Sequence, residues 1–303
     1  MYMVIRMKKT LSYILGLLVI AYLLLNINTL SNYLADFLEN EKSIAISSPN
    51  QYYKNNDYEF VQMSNKYVPY SYQGLLNIIY STLNNGWDTF TFYCPDEYTE
   101  CLNDISKISK DSTLLSNINN YVHPYNNYSK IGIVSSTTGE ITINVTKLYS
   151  ESDIEKINKG VDEILTNEIT NNMSLEDKIL KVHDYIINNT RYDIDKNNEN
   201  SFNALGPLFD GKAVCSGYSD LMAIFLSKLN VNNYKVASNT HIWNAIYINN
   251  EWLHIDLTWD DPVTKNSDVD TLSHQFFMVN TQKLLEFDTK DHKFDTIIYQ
   301  ELN

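Results

Sequence analysis

The segment GKAVCSGYSD, residues 211–220, places a cysteine where it can act as a nucleophile. Cys215 is flanked by small and polar residues, whereas a cysteine that serves packing usually lies within an apolar run. The amphipathic pattern of residues 218–229 predicts that a helix begins near Cys215. The positive end of a helix dipole and its unpaired amide N–H groups favour a thiolate. We therefore predict a nucleophile at a helix N-terminus, with Gly217 leaving room for a substrate carbonyl.

A histidine and a carboxylate are predicted to share one face of a β-hairpin. Residues 241–248 (HIWNAIYI) and 251–259 (EWLHIDLTW) alternate like two strands that are joined by an Asn-Asn turn. A two-residue turn places His241 opposite Thr258 and makes Asp256 its diagonal neighbour on the same face. Such neighbours lie roughly 7–8 Å apart at Cα, within reach of an imidazole and a carboxylate. Asp256 can then orient His241, and Cys215 completes a nucleophile, base and orienting carboxylate.

The remaining histidines are weaker candidates for the base. His254 lies on the same predicted face as Asp256 and is an alternative, but its position opposite Ala245 is farther from the catalytic end of the hairpin. Three further histidines are predicted to be structural or surface residues, namely His183, His274 and His292, and His123 is predicted to lie in a loop. The pair Asp260-Asp261 is predicted to form a turn or cap. No spaced set of oxygen ligands accompanies it, so the sequence predicts no metal ion and no cofactor.

The elements that position these residues belong to the second half of the chain. Residues 1–30 combine basic residues with an apolar run, which is typical of a signal peptide or an N-terminal membrane anchor. Residues 31–50 are predicted to be a linker. Residues 51–150 are predicted to form a small α/β domain of unknown role, with a hairpin near its end. Residues 151–303 contain two predicted helices, the cysteine segment and the histidine hairpin, and are predicted to be the catalytic domain.

Charge and cysteine content restrict the partners and the compartment. The net charge is −14 and no basic cluster follows the N-terminus, so nucleic acid is excluded as a main partner. The N-terminal segment predicts export, with the protein either secreted or anchored and then in contact with the membrane. Cys94 and Cys101 are close enough in sequence to form a disulfide in an oxidising compartment, and two unpaired thiols are the alternative.

The chain resembles the transglutaminase-like superfamily, in its bacterial secreted branch. The resemblance rests on four ordered segments (VHDYIINNTRYD, GKAVCSGYSD, HIWNAIYI and WLHIDLTWDDP) and covers about residues 175–300. It implies an α+β papain-like core, in which a helix bearing the cysteine packs on an antiparallel sheet. It further implies that Cys215 is the nucleophile, His241 the general base and Asp256 the orienting carboxylate.

The resemblance implies acyl transfer from a carboxamide or peptide bond through a thioester. If an amine resolves the thioester, the protein crosslinks proteins or envelope components as a transglutaminase does. If water resolves it, the protein is a peptidase, amidase or deamidase. A non-enzymatic scaffold or binding protein of the cell envelope is the third alternative. In each enzymatic case the expected partner is a protein or peptide, with cell-wall material among the candidates.

Overall fold

The computed structural model describes residues 44–261, 272–288 and 290–303, together with scattered positions between 13 and 31. Those scattered positions are almost all helical and belong to a separate unit, residues 1–45. Within the part of the chain that is described, no helix is both long and apolar enough to cross a membrane. Most of the predicted signal or anchor falls outside the described residues.

Residues 46–303 form one compact unit, and its helices and antiparallel sheets confirm the predicted α+β fold. The helices are α1 (Tyr72–Asn84), α2 (Cys101–Ile108), α3 (Ser112–Asn119), α4 (Glu151–Glu168), α5 (Leu175–Asn189), α6 (Cys215–Lys228), α7 (Leu257–Asp260) and α8 (Thr281–Phe287). The strands are β1 (Thr89–Tyr93), β2 (Tyr128–Ser135), β3 (Glu140–Lys147), β4 (Arg191–Tyr192), β5 (Lys212–Ala213), β6 (Asn232–Ala237), β7 (Ile242–Ile248), β8 (Glu251–Ile255) and β9 (Phe277–Val279). The predicted domain boundary at residue 150 stays a prediction.

The first sheet has three antiparallel strands in the order β1–β3–β2. Alternate side chains of β3 are buried, as expected of a strand with one face on the core: Ile141, Ile143 and Val145. The turn between β2 and β3 includes Gly139, whose φ of +87° favours glycine. A disulfide joins Cys94, which follows β1, to Cys101 at the start of α2. Cys215 is thus the remaining free thiol.

Helix α6, which begins at Cys215, is the central element of the second half. Residues 217–226 are all buried, because the helix packs against β6 and β7 and also against α5. The sequence analysis predicted an amphipathic helix with one apolar face, and that prediction was wrong. The polar members of the run are buried as well, and Ser219 is one example: its carbonyl accepts a hydrogen bond from the Asn244 amide of β7 at 3.0 Å.

Gly217 serves packing and does not provide space for a substrate. A Cβ atom at this position would lie 2.4 Å from the carbonyl oxygen of Ser201, far inside van der Waals contact. The same segment holds the start of the helix, since Val214 N–H donates to the Ser201 carbonyl at 2.9 Å and the Ser216 hydroxyl donates to the Phe202 carbonyl at 2.9 Å. The small residues around the cysteine thus let α6 approach the backbone of residues 201–203.

The second sheet contains the predicted hairpin in the predicted register. Its four strands are antiparallel in the order β6–β7–β8–β9, and Ile248 pairs with Glu251 while Ala245 pairs with His254. Asn249 and Asn250 form the two-residue turn with φ values of 53° and 65°, a conformation that asparagine tolerates better than most residues. Strand β8 ends at residue 255, earlier than predicted, because the chain then turns into α7.

A buried ion pair connects α6 to the sheet and to the first half of the unit. The Lys235 ammonium on β6 lies 2.6 Å from the Asp220 carboxylate on α6, and both side chains are almost fully buried. Asp220 also accepts hydrogen bonds from the Tyr149 hydroxyl at 2.7 Å and from the Asn127 amide at 3.2 Å. The carboxylate therefore has a partner from three separate parts of the chain.

Candidate active site

Cys215 is the first residue of α6 and is partly exposed. The preceding residue, Val214, has an extended backbone (φ −99°, ψ 176°) and its side chain caps no amide. The amide of Cys215 has no partner within the helix because it belongs to the first turn. The sulfur therefore lies at the positive end of a buried helix, beside a donor that can bind a developing oxyanion.

His241 lies between the predicted nucleophile and the predicted carboxylate. Its Nε2 atom is 2.5 Å from Oδ2 of Asp256, and the Cys215 side chain is near enough to the ring to raise the pKa of His241. Because Nε2 is used by Asp256, Nδ1 is the ring nitrogen left for the sulfur. The structure thus brings together the three side chains that the sequence analysis selected from separate segments.

Asp256 is held by the helix that interrupts the predicted strand. It caps α7, and its Oδ1 atom accepts hydrogen bonds from the amides of Thr258 at 2.9 Å and Trp259 at 3.2 Å. Its other oxygen is left for His241. The predicted opposition of His241 and Thr258 does not form, because the ladder between β7 and β8 ends at Asn244 and Ile255. The carboxylate is therefore oriented by a helix cap and not by strand pairing.

The charges of this group favour an imidazolium. Burial lowers the pKa of His241, but the Asp256 carboxylate and Cys215 act in the opposite direction, and the balance raises the pKa to about 10. Burial raises the pKa of Asp256, yet His241 and His292 outweigh it and hold that pKa below its ordinary value. His241 is therefore protonated at neutral pH, and the resting arrangement is a proton donor beside the sulfur.

His254, the alternative base, is occupied elsewhere. Its Nδ1 atom accepts a hydrogen bond from the Trp243 indole at 2.9 Å, and its Nε2 atom lies 3.0 Å from the Thr281 hydroxyl. Burial and the nearby His292 lower the pKa of His254 to about 3. Both ring nitrogens therefore have partners that belong to the core, and the ring stays neutral.

His292 is a member of the site that the sequence analysis did not select. It was predicted to be a surface or structural residue, but it is fully buried and its Nε2 atom lies 2.7 Å from Oδ2 of Asp256. Its Nδ1 atom is 3.0 Å from Asp288. The spacing of Asp288 and His292, four residues apart, was the one signal in the sequence. Asp256 is therefore oriented by two imidazoles.

We expect His292→Ala to lower the free energy of unfolding by about 1.5–3 kcal/mol, because Asp256 and Asp288 each lose a hydrogen bond that involves a charged group. Urea unfolding measures the change. The matched control is His274→Ala, whose half-exposed contact with Asp184 should contribute less than about 1 kcal/mol. Equal losses in the two variants would contradict the supporting role of His292.

Aromatic rings border the site. The Trp243 ring stacks on His241 with centroids 5.7 Å apart, and the partly exposed Trp259 lies edge-on to His241 at 6.5 Å. Burial and the influence of Cys215 both raise the pKa of Tyr192 on β4. The two tryptophan rings give the site an apolar border.

The other predicted residues make contacts of their own. His183 is buried on α5, as predicted for a structural residue. Asp260 is also buried and is the C-terminal residue of α7, where its Oδ1 atom accepts a hydrogen bond from the Phe276 amide at 3.0 Å. Asp261 accepts a hydrogen bond from the Tyr218 hydroxyl of α6. Both carboxylates thus support tertiary contacts, beyond the turn or cap that was predicted.

Two groups of side chains in the described residues have the spacing of metal ligands. One is the site itself, His241 with Asp256 and His292. Its hydrogen bonds already fit an orienting carboxylate between two imidazoles, so a metal ion is not needed to explain the contacts. The other consists of His183, Asp184 and His274, and it does not include the sulfur.

Comparison with known proteins identifies the segment that contains most of this site. Residues 163–257 match the family model described as the transglutaminase-like superfamily, which confirms the resemblance. No curated protein matches the chain. A solved structure described as a TGase is 16% identical with a TM-score of 0.33, over 50% of this chain and 49% of that one. Another solved structure comes from Cytophaga hutchinsonii and is assigned provisionally to the cysteine proteases. It is 14% identical with a TM-score of 0.28, and the match covers 43% of this chain and 61% of that one. The chain thus spans about half of the first structure, and the family assignment rests on the matched segment.

Proposed function

Because residues 163–257 belong to the transglutaminase-like superfamily, we propose that the protein is a cysteine acyltransferase that acts on carboxamide or peptide bonds. The observation that carries the proposal is the position of His241, whose Nε2 atom lies 2.5 Å from the Asp256 carboxylate and whose pKa is also raised by the nearby Cys215 side chain. Thioester chemistry requires a nucleophile, a histidine that carries its proton, and a carboxylate that orients the histidine from the other side of the ring.

In the first half of the reaction, the thiolate of Cys215 attacks the carbonyl carbon of the substrate. The carbonyl oxygen becomes an oxyanion that the Cys215 amide N–H stabilises. When the intermediate collapses, the bond between carbon and nitrogen breaks and the Nδ1 proton of His241 passes to the leaving ammonia or amine. His241 is then neutral, and the acyl group is bound to sulfur as a thioester.

In the second half, the neutral imidazole of His241 acts as a base. It takes a proton from the incoming nucleophile, which attacks the thioester, and the thiolate leaves to restore the ion pair with the imidazolium. Asp256 holds the ring in the orientation that both proton transfers need, and it stabilises the positive charge when the ring is protonated.

We propose that the acceptor is a primary amine of the lysine type. The Trp259 ring borders the site and is partly exposed, and an apolar ring suits an aliphatic chain better than it suits water. The net charge of −14 attracts cationic amines to the protein. Hydrolysis by the same three residues is the second candidate, and a non-enzymatic envelope scaffold is the third.

We also propose that the protein works outside the cytoplasm, secreted or anchored by residues 1–30. The Cys94–Cys101 disulfide supports this location, because such bonds persist in oxidising compartments and are rare in the cytosol. A membrane-impermeant maleimide should label Cys215 in intact cells. Labelling that requires lysis would argue for a cytoplasmic protein.

The choice of acceptor is tested with an N-blocked glutaminyl peptide and a fluorescent primary alkylamine. We expect ammonia release together with formation of the peptide–amine conjugate, and we expect Cys215→Ala to abolish both. Ammonia release without conjugate would identify water as the acceptor and the protein as a hydrolase. If Cys215→Ala performs either reaction as fast as the unaltered protein, the thioester scheme is wrong.

A further inference from the structure

We propose that His183, Asp184 and His274 form a binding site for a divalent transition metal ion of the zinc class. Three ligand atoms, one from each side chain, all lie within 4.8 Å of one another. His183 and Asp184 are on α5, whereas His274 lies in the segment that precedes β9. The sequence analysis predicted no metal site, because His274 is 90 residues from Asp184 and no motif connects them.

The contacts within this group converge on a single oxygen atom. Oδ1 of Asp184 lies 2.9 Å from Nδ1 of His183 and 2.8 Å from Nε2 of His274. Two imidazole nitrogens and one carboxylate oxygen are the donor set that zinc and its neighbours in the transition series prefer. Calcium and magnesium are disfavoured, because they require oxygen ligands.

The second nitrogen of His183 gives a further geometric argument. This atom, Nε2, lies 3.2 Å from Oδ2 of the buried Asp260, so both nitrogens of this fully buried ring face carboxylates. An imidazole whose Nε2–H donates to Asp260 presents the lone pair of Nδ1 to the group formed with Asp184 and His274, as a metal ligand does.

Asp260 has the geometry of a supporting residue for a metal ligand. Histidines that bind metals usually donate their other N–H to a carboxylate, which fixes the tautomer and the orientation of the ring. The Phe276 amide donates a hydrogen bond to Asp260 at 3.0 Å. This bond fixes the carboxylate, and the carboxylate in turn orients the His183 ring. The arrangement of carboxylate, histidine and candidate metal position is therefore built before any ion binds.

The group can open enough to admit an ion. A tetrahedral zinc ion with bonds of about 2.0–2.1 Å separates its ligand atoms by roughly 3.3–3.4 Å, so the nitrogens must move away from Asp184 by about half an ångström. The His183 side chain is fully buried, but those of His274 and Asp184 are 43% and 28% exposed. Asp184 and His274 can therefore supply the movement, and water can complete the coordination.

Zinc titration of the chelator-treated protein tests the proposal, with Cys215→Ala as the starting protein so that the reactive thiol does not compete for metal. We expect isothermal titration to show one Zn²⁺ per chain, and the unfolding temperature to rise on addition of Zn²⁺ because the ion binds the folded state. We expect His274→Ala, a change at a half-exposed position, to weaken binding at least tenfold and to abolish the rise in unfolding temperature.

The controls separate this site from general binding to an acidic protein. Asp184→Ala should behave as His274→Ala does, whereas Asp177→Ala, a carboxylate on the first turn of the same helix, should bind Zn²⁺ with unchanged affinity. Asp260→Asn should weaken binding by about 10–100-fold, the usual effect of losing a supporting carboxylate. The proposal is overturned if no ion binds, or if the His274→Ala and Asp184→Ala variants bind as tightly as the starting protein.

Discussion

His241→Ala is expected to slow the alkylation of Cys215 by iodoacetamide at pH 6 by on the order of tenfold. The imidazolium of His241 places a positive charge beside the sulfur, which favours the attacking form of the nucleophile. The variant lacks this charge. With the Cys94–Cys101 disulfide unreduced, mass spectrometry should locate the label on Cys215 alone.

The pH dependence of the same reaction distinguishes an ion pair from a merely exposed thiol. The pKa of His241 is raised to about 10, so the ring keeps its proton throughout the neutral range. We therefore expect the unaltered protein to react faster than His241→Ala at every pH between about 6 and 8, because the positive charge beside the sulfur is present throughout this range. His274→Ala is the matched control, and equal profiles in all three proteins would contradict the ion pair.

The raised pKa also has a consequence for stability. A group whose pKa is higher in the folded state than in the unfolded state favours folding while it is protonated. The contribution of His241 is complete below its unfolded pKa of about 6.5 and is lost as the pH rises through about 10. The contribution of Asp256 to stability is also favourable, but it depends on pH in the opposite direction because the pKa of Asp256 is lowered. It is present above about pH 4 and is lost in acid.

Asp220→Ala is expected to lower the free energy of unfolding by about 3–5 kcal/mol. The change leaves the buried Lys235 ammonium without the carboxylate that lies 2.6 Å away, and removing one partner of a buried ion pair has this effect. The Tyr149 hydroxyl and the Asn127 amide lose an acceptor as well. Urea unfolding, followed by circular dichroism, gives the difference in free energy.

A double substitution shows whether the unpaired charge causes the loss. In Asp220→Leu/Lys235→Met both charges are replaced by apolar groups, and such replacements are often close to neutral. We expect the double variant to recover most of the stability that Asp220→Ala loses. If Asp220→Ala costs less than about 1 kcal/mol, the ion pair does not hold α6 in place.

The sequence alone determined the local features of this protein. The Asn249-Asn250 turn and the alternation on either side of it determine the hairpin register, because a slip of one residue would turn every buried side chain to the other face. The setting of Cys215 predicts a helix start. The helix start and the hairpin register are confirmed, because each depends on neighbouring residues or on a short turn. Residue types at defined spacing also predict catalytic roles for Cys215, His241 and Asp256, and those roles stay a prediction.

Only the tertiary structure decided which groups support those members. His292 lies 36 residues beyond Asp256, and no periodicity connects the two, so their contact exists only once the chain after β9 has folded back. Helix α7 replaced the end of a predicted strand because the Asp256 side chain accepts the first amides of that helix. Helix α6 is buried on nearly all faces because both halves of the unit pack against it. Long-range packing, which no local pattern encodes, makes Asp256 an anion held between two imidazoles.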